Sequence, residues 1–507
     1  MILSPSMPTW ETLKDSTLEV DVVIVGSGAG GAAAAAQLAE AGLDVVCLEE
    51  GGHFTERNFS QDQGVAWRQL YADDGQRVMA GNLFIPVAGG RCLGGSTVVN
   101  SGICFRIPEW RFSQWKEERG LDFTWDELRP WLARTERFIH VTPSDARVTG
   151  GNNLFCQEGL EALGWAGGPM PRNAPACVGC GACQMGCPSG GKLSVVKTYI
   201  PRAGKAGARF VTKARATEAL QANGRVVGVR ADLLDPESDE PIAALTVHAR
   251  AVVLAGGAIQ TPCFLQNNGL GNEHVGEHLH VHPGAGVIAI TDRDIEGWRG
   301  IPQGFYSDEF LESDGLILES FWATPEVFYL SFPFGRDGAA GMLDFAKMAA
   351  LGGVIMDRSE GTVRPTSTPG KAKVSYHLVD DDRRRLVLVQ RYSAELLLAA
   401  GAKEVRAAVY GVPAITNVEE ARRWLDPDNV KLKQLMAVYS SHPHGTTRMA
   451  GSAEDGAVDC RGRVYGTEGL YVMDGSVFPD VLGVNPQVTI MALASYLADS
   501  LAQELIS

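Results

Sequence analysis

Residues 21–51 pass from apolar to small to apolar again, and that pattern predicts a strand, a helix and a second strand. A Val/Ile run feeds Gly26-Ser27-Gly28-Ala29-Gly30-Gly31, an Ala-rich helix follows, and a second apolar run, Val45 to Leu48, closes on Glu49. The glycine spacing inside this βαβ unit is that of a dinucleotide cradle. Gly26 permits the tight turn, Gly28 lets the backbone approach a pyrophosphate, and Gly31 lets helix and strand pack closely. The phosphates would sit at the positive end of the helix dipole. Glu49 falls where a carboxylate accepts a ribose hydroxyl.

Further along, 80–106 read as a glycine-rich loop and a helix start, and 110–165 carry amphipathic helical patterns. Strand-like alternation returns at 209–212, 226–233 and 245–255, the last ending in Ala255-Gly256-Gly257-Ala258. Residues 291–430 mix strand and helix patterns without a phosphate-binding signal. From 434 the glycine turns and strands resume, and an apolar helix starts near Pro486. Asn485-Pro486 has the chemistry of a helix start, Asn as N-cap and Pro in the first turn. Phosphate-loop chemistry at both ends predicts one nucleotide domain made of separated segments, with a second domain inserted. The expected fold class is α/β (α+β overall), and the expected parts are 1–110, 111–189, 190–290, 291–431 and 432–507.

A chain of 507 residues, 45% hydrophobic, can bury a large core. Its net charge of −15 argues against nucleic acid and anionic membrane surfaces as partners. No apolar run approaches the ~18 residues of a transmembrane helix. Met1 to Lys14 is polar and contains acids, unlike a secretory leader, so a cytoplasmic location is expected.

Of ten cysteines, six stand alone and read as small core residues. The other four, Cys177, Cys180, Cys183 and Cys187, have the spacing C-x2-C-x2-C-x3-C-P of ferredoxin-type ligands. Four close thiolates in a reducing compartment point to an iron–sulfur cluster, 3Fe–4S or 4Fe–4S. Zinc and a metal-free structural or disulfide-forming loop fit the same spacing.

Five stretches in order, GSGAGG…LEEGG, GGRCLGGSTVVNSGICFR, GGAIQTPCFLQNNGLG (256–271), VGEHLHVHP (275–283) and SSHPHGTTRM through DGSVFPDVLGVNPQVTIMALA, resemble the glucose–methanol–choline (GMC) family of FAD-dependent oxidoreductases, in its Cys-rich-loop form. The resemblance implies a Rossmann-like FAD domain in discontinuous segments and a substrate domain with an antiparallel sheet and helices. It implies that Gly94, Gly95, Ser96 and Asn100 lie against the flavin. Asp474 and Pro486 would make a second set of cofactor contacts, and the dipole of the last helix would favour the reduced flavin. No His occupies the 94–100 loop, so nothing there supports covalent attachment. The motif departs from the family at Asn267-Asn268, where Ser-Gly is usual.

The resemblance places His442 three residues before Gly445-Thr446, at the family's catalytic position, with Asn485 at the second. His442 is expected to act as general base while hydride moves from an alcohol carbon to the flavin. Asn485 would position the substrate oxygen, His444 is the rival base, and His278, His280 and His282 read as structural. The expected reaction is oxidation of a CH–OH group to a carbonyl. Electrons would pass through the cluster to an acceptor protein or quinone. An oxygen-using oxidase without a cluster, or a non-redox FAD lyase, are the alternatives. Phe305, Tyr306, Phe310, Phe321, Trp322, Phe328, Tyr329, Phe332 and Phe334 read mainly as core, and favour a hydrophobic or cyclic alcohol over a polyol.

Overall fold

The computed structural model describes residues 1–5, 7–329 and 335–507, so Phe332 and Phe334 lie outside the described residues. The glycine-rich unit folds as its pattern predicts. Strand Ser16–Val25 leads into helix Ala29–Glu40 and returns through strand Val45–Glu49. Val22, Val23 and Ile24 are completely buried, each stabilising the fold by roughly 1.5–3 kcal/mol.

These strands belong to an eight-stranded sheet. Its order runs Ile2–Leu3, Arg209–Thr212, Val45–Glu49, Ser16–Val25, Pro241–Leu254, Arg225–Leu234, Ala214–Ala222. Strand Leu470–Val472 pairs alongside the end of Pro241–Leu254, so Val252 has Val23 on one side and Leu470 on the other. The core pairings are parallel, while the meander of 214–254 is antiparallel. Strand Ala214–Ala222 was not anticipated: its polar residues Arg215, Glu218 and Gln221 hide the alternation. The last helix, Gln487–Ile506, packs on Ala29–Glu40, and Gln37 Nε2 donates to Asp499 Oδ1 at 2.8 Å across 462 residues.

The second sheet has six strands in the order Glu404–Ala407, Gly284–Ile290, Met348–Ile355, Leu316–Ser320, Phe305–Ser307, Gly168–Pro169. Its pairings are antiparallel. Strand Gly284–Ile290, assigned from the sequence to the nucleotide part, pairs here instead. One face, with Ala285, Val287, Leu316, Leu318 and Leu351, packs on helices Gly151–Leu163 and Asp380–Ala399. The other face looks toward the first sheet across a cavity. Phe305, Trp322 and Phe328 are buried, as expected of core aromatics, yet Phe321 and Trp322 also line that cavity.

Candidate active site

A cavity of about 1,800 Å³ runs from the glycine turns to the second sheet. That exceeds the roughly 300–1,000 Å³ of an ordinary small-molecule site and leaves room for a dinucleotide together with a substrate.

The glycines divide by role. An ideal Cβ on Gly31 would lie 2.0 Å from the Gly26 carbonyl oxygen, and one on Gly26 2.4 Å from the Ala255 oxygen, so both are dictated by packing. A Cβ on Gly28 would meet nothing within 4 Å; it would project into open space beside the cavity. The sequence missed Gly30, whose Cβ would lie 2.0 Å from the Met473 oxygen, binding the first turn to the C-terminal one. Glu49 is 7% exposed. Its Oε2 accepts from Ser27 N (3.1 Å) and Ser27 Oγ (2.6 Å), and its Oε1 from Gly51 N (2.9 Å). Burial raises its pKa, against the pull of the Ser27 and Gly51 hydrogen bonds.

The loop expected at a flavin reaches the same cavity. Gly94 N donates to Ser27 Oγ at 3.0 Å, Gly95 caps the short helix Ser96–Val99, and Ser96 Oγ accepts from Gly90 N at 3.0 Å. Asn100 is held by Gln487 Oε1 (3.0 Å) and itself accepts from Gly102 N (3.1 Å). Asp474 accepts from Ser476 N, Gly257 N and Thr261 Oγ1 at 2.7, 2.8 and 2.6 Å. Of the expected cofactor residues, Gly26, Gly28, Glu49, Gly95, Ser96, Asn100, Asp474 and Pro486 line the cavity. Gly31 and Gly94 do not, and support it from behind.

The helix start differs by one position. Helix Gln487–Ile506 has Pro486 at its N-cap with αR dihedrals, and Asn485 is not its cap. The Asn485 amide turns into the cavity instead, its Nδ2 lying 3.3 Å from His442 Nε2. Burial, reinforced by His444, pushes the His442 pKa down to about 3, so the ring is neutral. His444 is fully buried and lies outside the cavity lining. Its Nδ1 meets the His442 carbonyl oxygen at 2.7 Å, and its Nε2 accepts from Leu482 N at 3.3 Å. Its role is structural. His282, read from sequence as structural, contacts the His442 ring directly: Nδ1 faces His442 Nδ1 at 3.4 Å. No local signal could have joined residues 160 positions apart.

The arrangement of the four cysteines does not support the iron–sulfur expectation. Cys177, Cys180, Cys183 and Cys187 line one small recess, together with Arg172 and Lys192. Among the described residues, however, no group of three or more His, Cys, Asp or Glu side chains converges on a metal position. Three of the thiols already have protein donors. Arg172 reaches Cys183 Sγ at 3.2 Å and Cys177 Sγ at 3.9 Å, and the Lys192 backbone N–H reaches Cys187 Sγ at 3.4 Å. Cys180 is exposed. As arranged, these residues do not fit a cluster.

Two glycine turns on parallel strands, an antiparallel sheet facing them, and an imidazole–amide pair between define a dinucleotide-dependent oxidoreductase. The model of the GMC oxidoreductase N-terminal part matches residues 24–284, and that of the C-terminal part residues 357–494. The chain belongs to the GMC oxidoreductase family. It is similar to an uncharacterised GMC-type oxidoreductase of Mycobacterium tuberculosis, with 37% identity over 97% of this chain and 77% of the relative. A long-chain-alcohol oxidase of Arabidopsis thaliana is 27% identical over 96% of this chain and 67% of the relative. Pyridoxine 4-oxidase from Mesorbium loti shares the fold, with a TM-score of 0.71 at 18% identity over 95% of this chain and 98% of that one. Formate oxidase does so with a TM-score of 0.73 at 17% identity over 96% and 99%. Among the described residues no helix is long and apolar enough to cross a membrane.

Proposed function

We propose that the chain binds FAD and oxidises the CH–OH group of a hydrophobic alcohol to a carbonyl. The observation that carries this reading is the His442–Asn485 pair, 3.3 Å apart on the wall of the cavity that the glycine turns enter. The fit to FAD rests on the open face of Gly28 and on the buried acids Glu49 and Asp474 at either side of it. Gly26, Gly28 and Glu49 would hold the pyrophosphate and ribose, Gly95, Ser96 and Asn100 the ring end, and Asp474 and Pro486 the wall between. Bound FAD supplies a two-electron acceptor for hydride. His442 and Asn485 hold the substrate oxygen and are the catalytic residues. Ile288, Phe321, Trp322, Val354 and Met436 give the substrate half apolar walls, which supports a hydrophobic alcohol. Relatives named long-chain-alcohol oxidase and oxygen-dependent choline dehydrogenase agree with a CH–OH donor.

The relatives' oxidase names, together with thiols that already have protein donors, favour the oxygen-using form over export through an iron–sulfur cluster. We derive no electron step through the cysteine loop. The test is an anaerobic absorbance scan of the purified flavoprotein against aliphatic, terpenoid, steroid and aryl alcohols, sugars and polyols. Bleaching of the flavin band by an apolar alcohol is expected, with hydrogen peroxide formed on admitting air. A bound flavin that no alcohol bleaches would instead favour lyase chemistry.

A further inference from the structure

Two buried cations stand beside the cysteine loop, Arg172 at 2% and Lys192 at 3% exposure. Arg172 Nε donates to the Ser101 carbonyl oxygen at 2.9 Å, and the rest of the guanidinium meets sulfur. Its Nη2 lies 3.2 Å from Cys183 Sγ and its Nη1 3.9 Å from Cys177 Sγ. Lys192 Nζ donates to the carbonyls of Val98, Asn100 and Cys183. The partners of both are thus carbonyls and sulfurs, and among the described residues neither cation is paired with a carboxylate. Buried charge without an opposite partner is costly, and the nearest groups able to carry negative charge are thiols. Cys177, Cys180, Cys183 and Cys187 line one recess together with both cations. A cation beside a sulfur stabilises the sulfur anion as it attacks or leaves, which is the setting of a redox-active cysteine.

The loop is folded so that two of its sulfurs face one guanidinium. Gly179 and Gly181 have φ of +68° and +74°, left-handed values that bend the chain between Cys177 and Cys183. Arg172 then reaches both sulfurs with the two outer nitrogens of one planar fork. The surroundings of the two sulfurs differ. Cys177 is partly exposed and takes a second donor, Gly179 N, at 3.5 Å, whereas Cys183 is buried. An accessible sulfur with a shielded one beside it is the arrangement of an attacking and a resolving thiol. Cys187 is held elsewhere, by the Lys192 backbone N–H at 3.4 Å and Ser189 Oγ at 3.5 Å. The recess adjoins the large cavity, since Cys180, Gly181 and Pro302 line both. A small molecule leaving the cavity along that wall passes next to the thiols.

We propose that Cys177 and Cys183 form a dithiol that reduces hydrogen peroxide to water and closes into a disulfide. The Cys177 sulfur attacks one peroxide oxygen. The O–O bond breaks, an S–O bond forms, and the departing hydroxide takes the thiol proton to make the first water. The Cys183 sulfur then displaces the sulfenic hydroxyl, which leaves with the Cys183 proton as the second water, and the S–S bond forms. The two sulfurs give up two electrons and peroxide accepts them; none comes from the flavin. A dithiol reductant restores the pair. The sulfur chemistry is independent of the alcohol, while a local source of peroxide rests on the oxygen-using reading above.

The test uses the holoenzyme, reduced with dithiothreitol and freed of it without air. One equivalent of hydrogen peroxide should lower the count of free thiols in denaturant by two from ten. Alkylation and peptide mass mapping should find Cys177 joined to Cys183, and dithiothreitol should reopen the bond. Cys183→Ser should instead accumulate a sulfenic acid on Cys177 that dimedone captures, and Cys177→Ser should give neither product. If a serine variant fails to fold, the wild-type map decides without it. The alcohol that bleaches the flavin, turned over in air, should produce the same disulfide. A count still at ten, a disulfide between any other pair, or iron and acid-labile sulfide held by these cysteines in anaerobically prepared protein overturns the assignment. If added peroxide closes the Cys177–Cys183 bond but alcohol turnover does not, the dithiol assignment is upheld and the oxygen-using reading fails.

Discussion

Asp474 Oδ2 accepts the Gly257 backbone N–H at 2.8 Å, joining two turns 217 residues apart. Thr261 Oγ1 donates to the same oxygen, while Oδ1 receives Ser476 N. Asp474→Asn would set an amide N–H against one or more of these donors. A loss of about 1–3 kcal/mol of stability is expected, read by denaturant unfolding of FAD-free protein, together with a reduced FAD-to-protein ratio.

Gly28→Ala and Gly31→Ala should separate cofactor binding from folding. A methyl on Gly28 enters open space, so the FAD-free protein should keep its stability within about 0.5 kcal/mol while FAD affinity drops at least about tenfold. A methyl on Gly31 would lie 2.0 Å from a backbone oxygen and must displace it. That variant should lose at least about 1–3 kcal/mol before any cofactor is added. Equal stabilities for the two apo-proteins would contradict the assignment.

The histidine cluster predicts a stability maximum near neutral pH. His442 and His444 are held neutral, with burial carrying them down to about 3 and about 4 from 6.5. Their contribution is present above pH 6.5 and is lost as pH falls toward those values, because the unfolded chain binds the extra protons. His280 behaves oppositely. Burial lowers it, but the carboxylates of Asp357 and Asp480, 3.4 and 3.1 Å from its ring nitrogens, prevail and carry it up to about 10. Its contribution is full below pH 6.5 and is lost as pH rises toward about 10. Urea midpoints across pH should fall on both sides of neutrality, and His280→Gln should flatten the alkaline limb.

Lys192 is the anchor between the cysteine loop and the loop expected at the flavin. Its buried ammonium donates to the carbonyls of Val98, Asn100 and Cys183, and burial lowers its pKa to about 8 despite Cys183 and Cys187. Lys192→Met should leave three buried carbonyls short of a donor and cost about 3–5 kcal/mol. Faster proteolysis of residues 94–102 and 177–192 in the variant would be the accompanying sign.

The parts legible in the sequence were those whose signal is local. The glycine turn announces itself because Gly26, Gly28 and Gly31 fall within one helical entry, and the flanking Val/Ile runs are buried whatever lies further along the chain. His442 and Asn485 were legible through motif resemblance, though the helix begins one residue beyond the expected position. The contact of His282 with His442 was not legible, since the two residues stand 160 positions apart. The cysteines have the spacing of a ligand set, but among the described residues they do not converge on a metal position. Arg172, five residues before the motif, and Lys192, five after it, supply the donors that spacing alone cannot reveal.

The hydrogen bond between Gln37 and Asp499 has a consequence for biosynthesis. Gln37 leaves the ribosome 462 residues ahead of Asp499, so the helix that opens the cofactor cradle is made long before the helix that packs against it. The nascent chain must therefore wait, with its alanine face uncovered, until translation of this stretch is nearly over. Prosthetic-group capture is then a late event, and chaperone demand should concentrate on partly made chains.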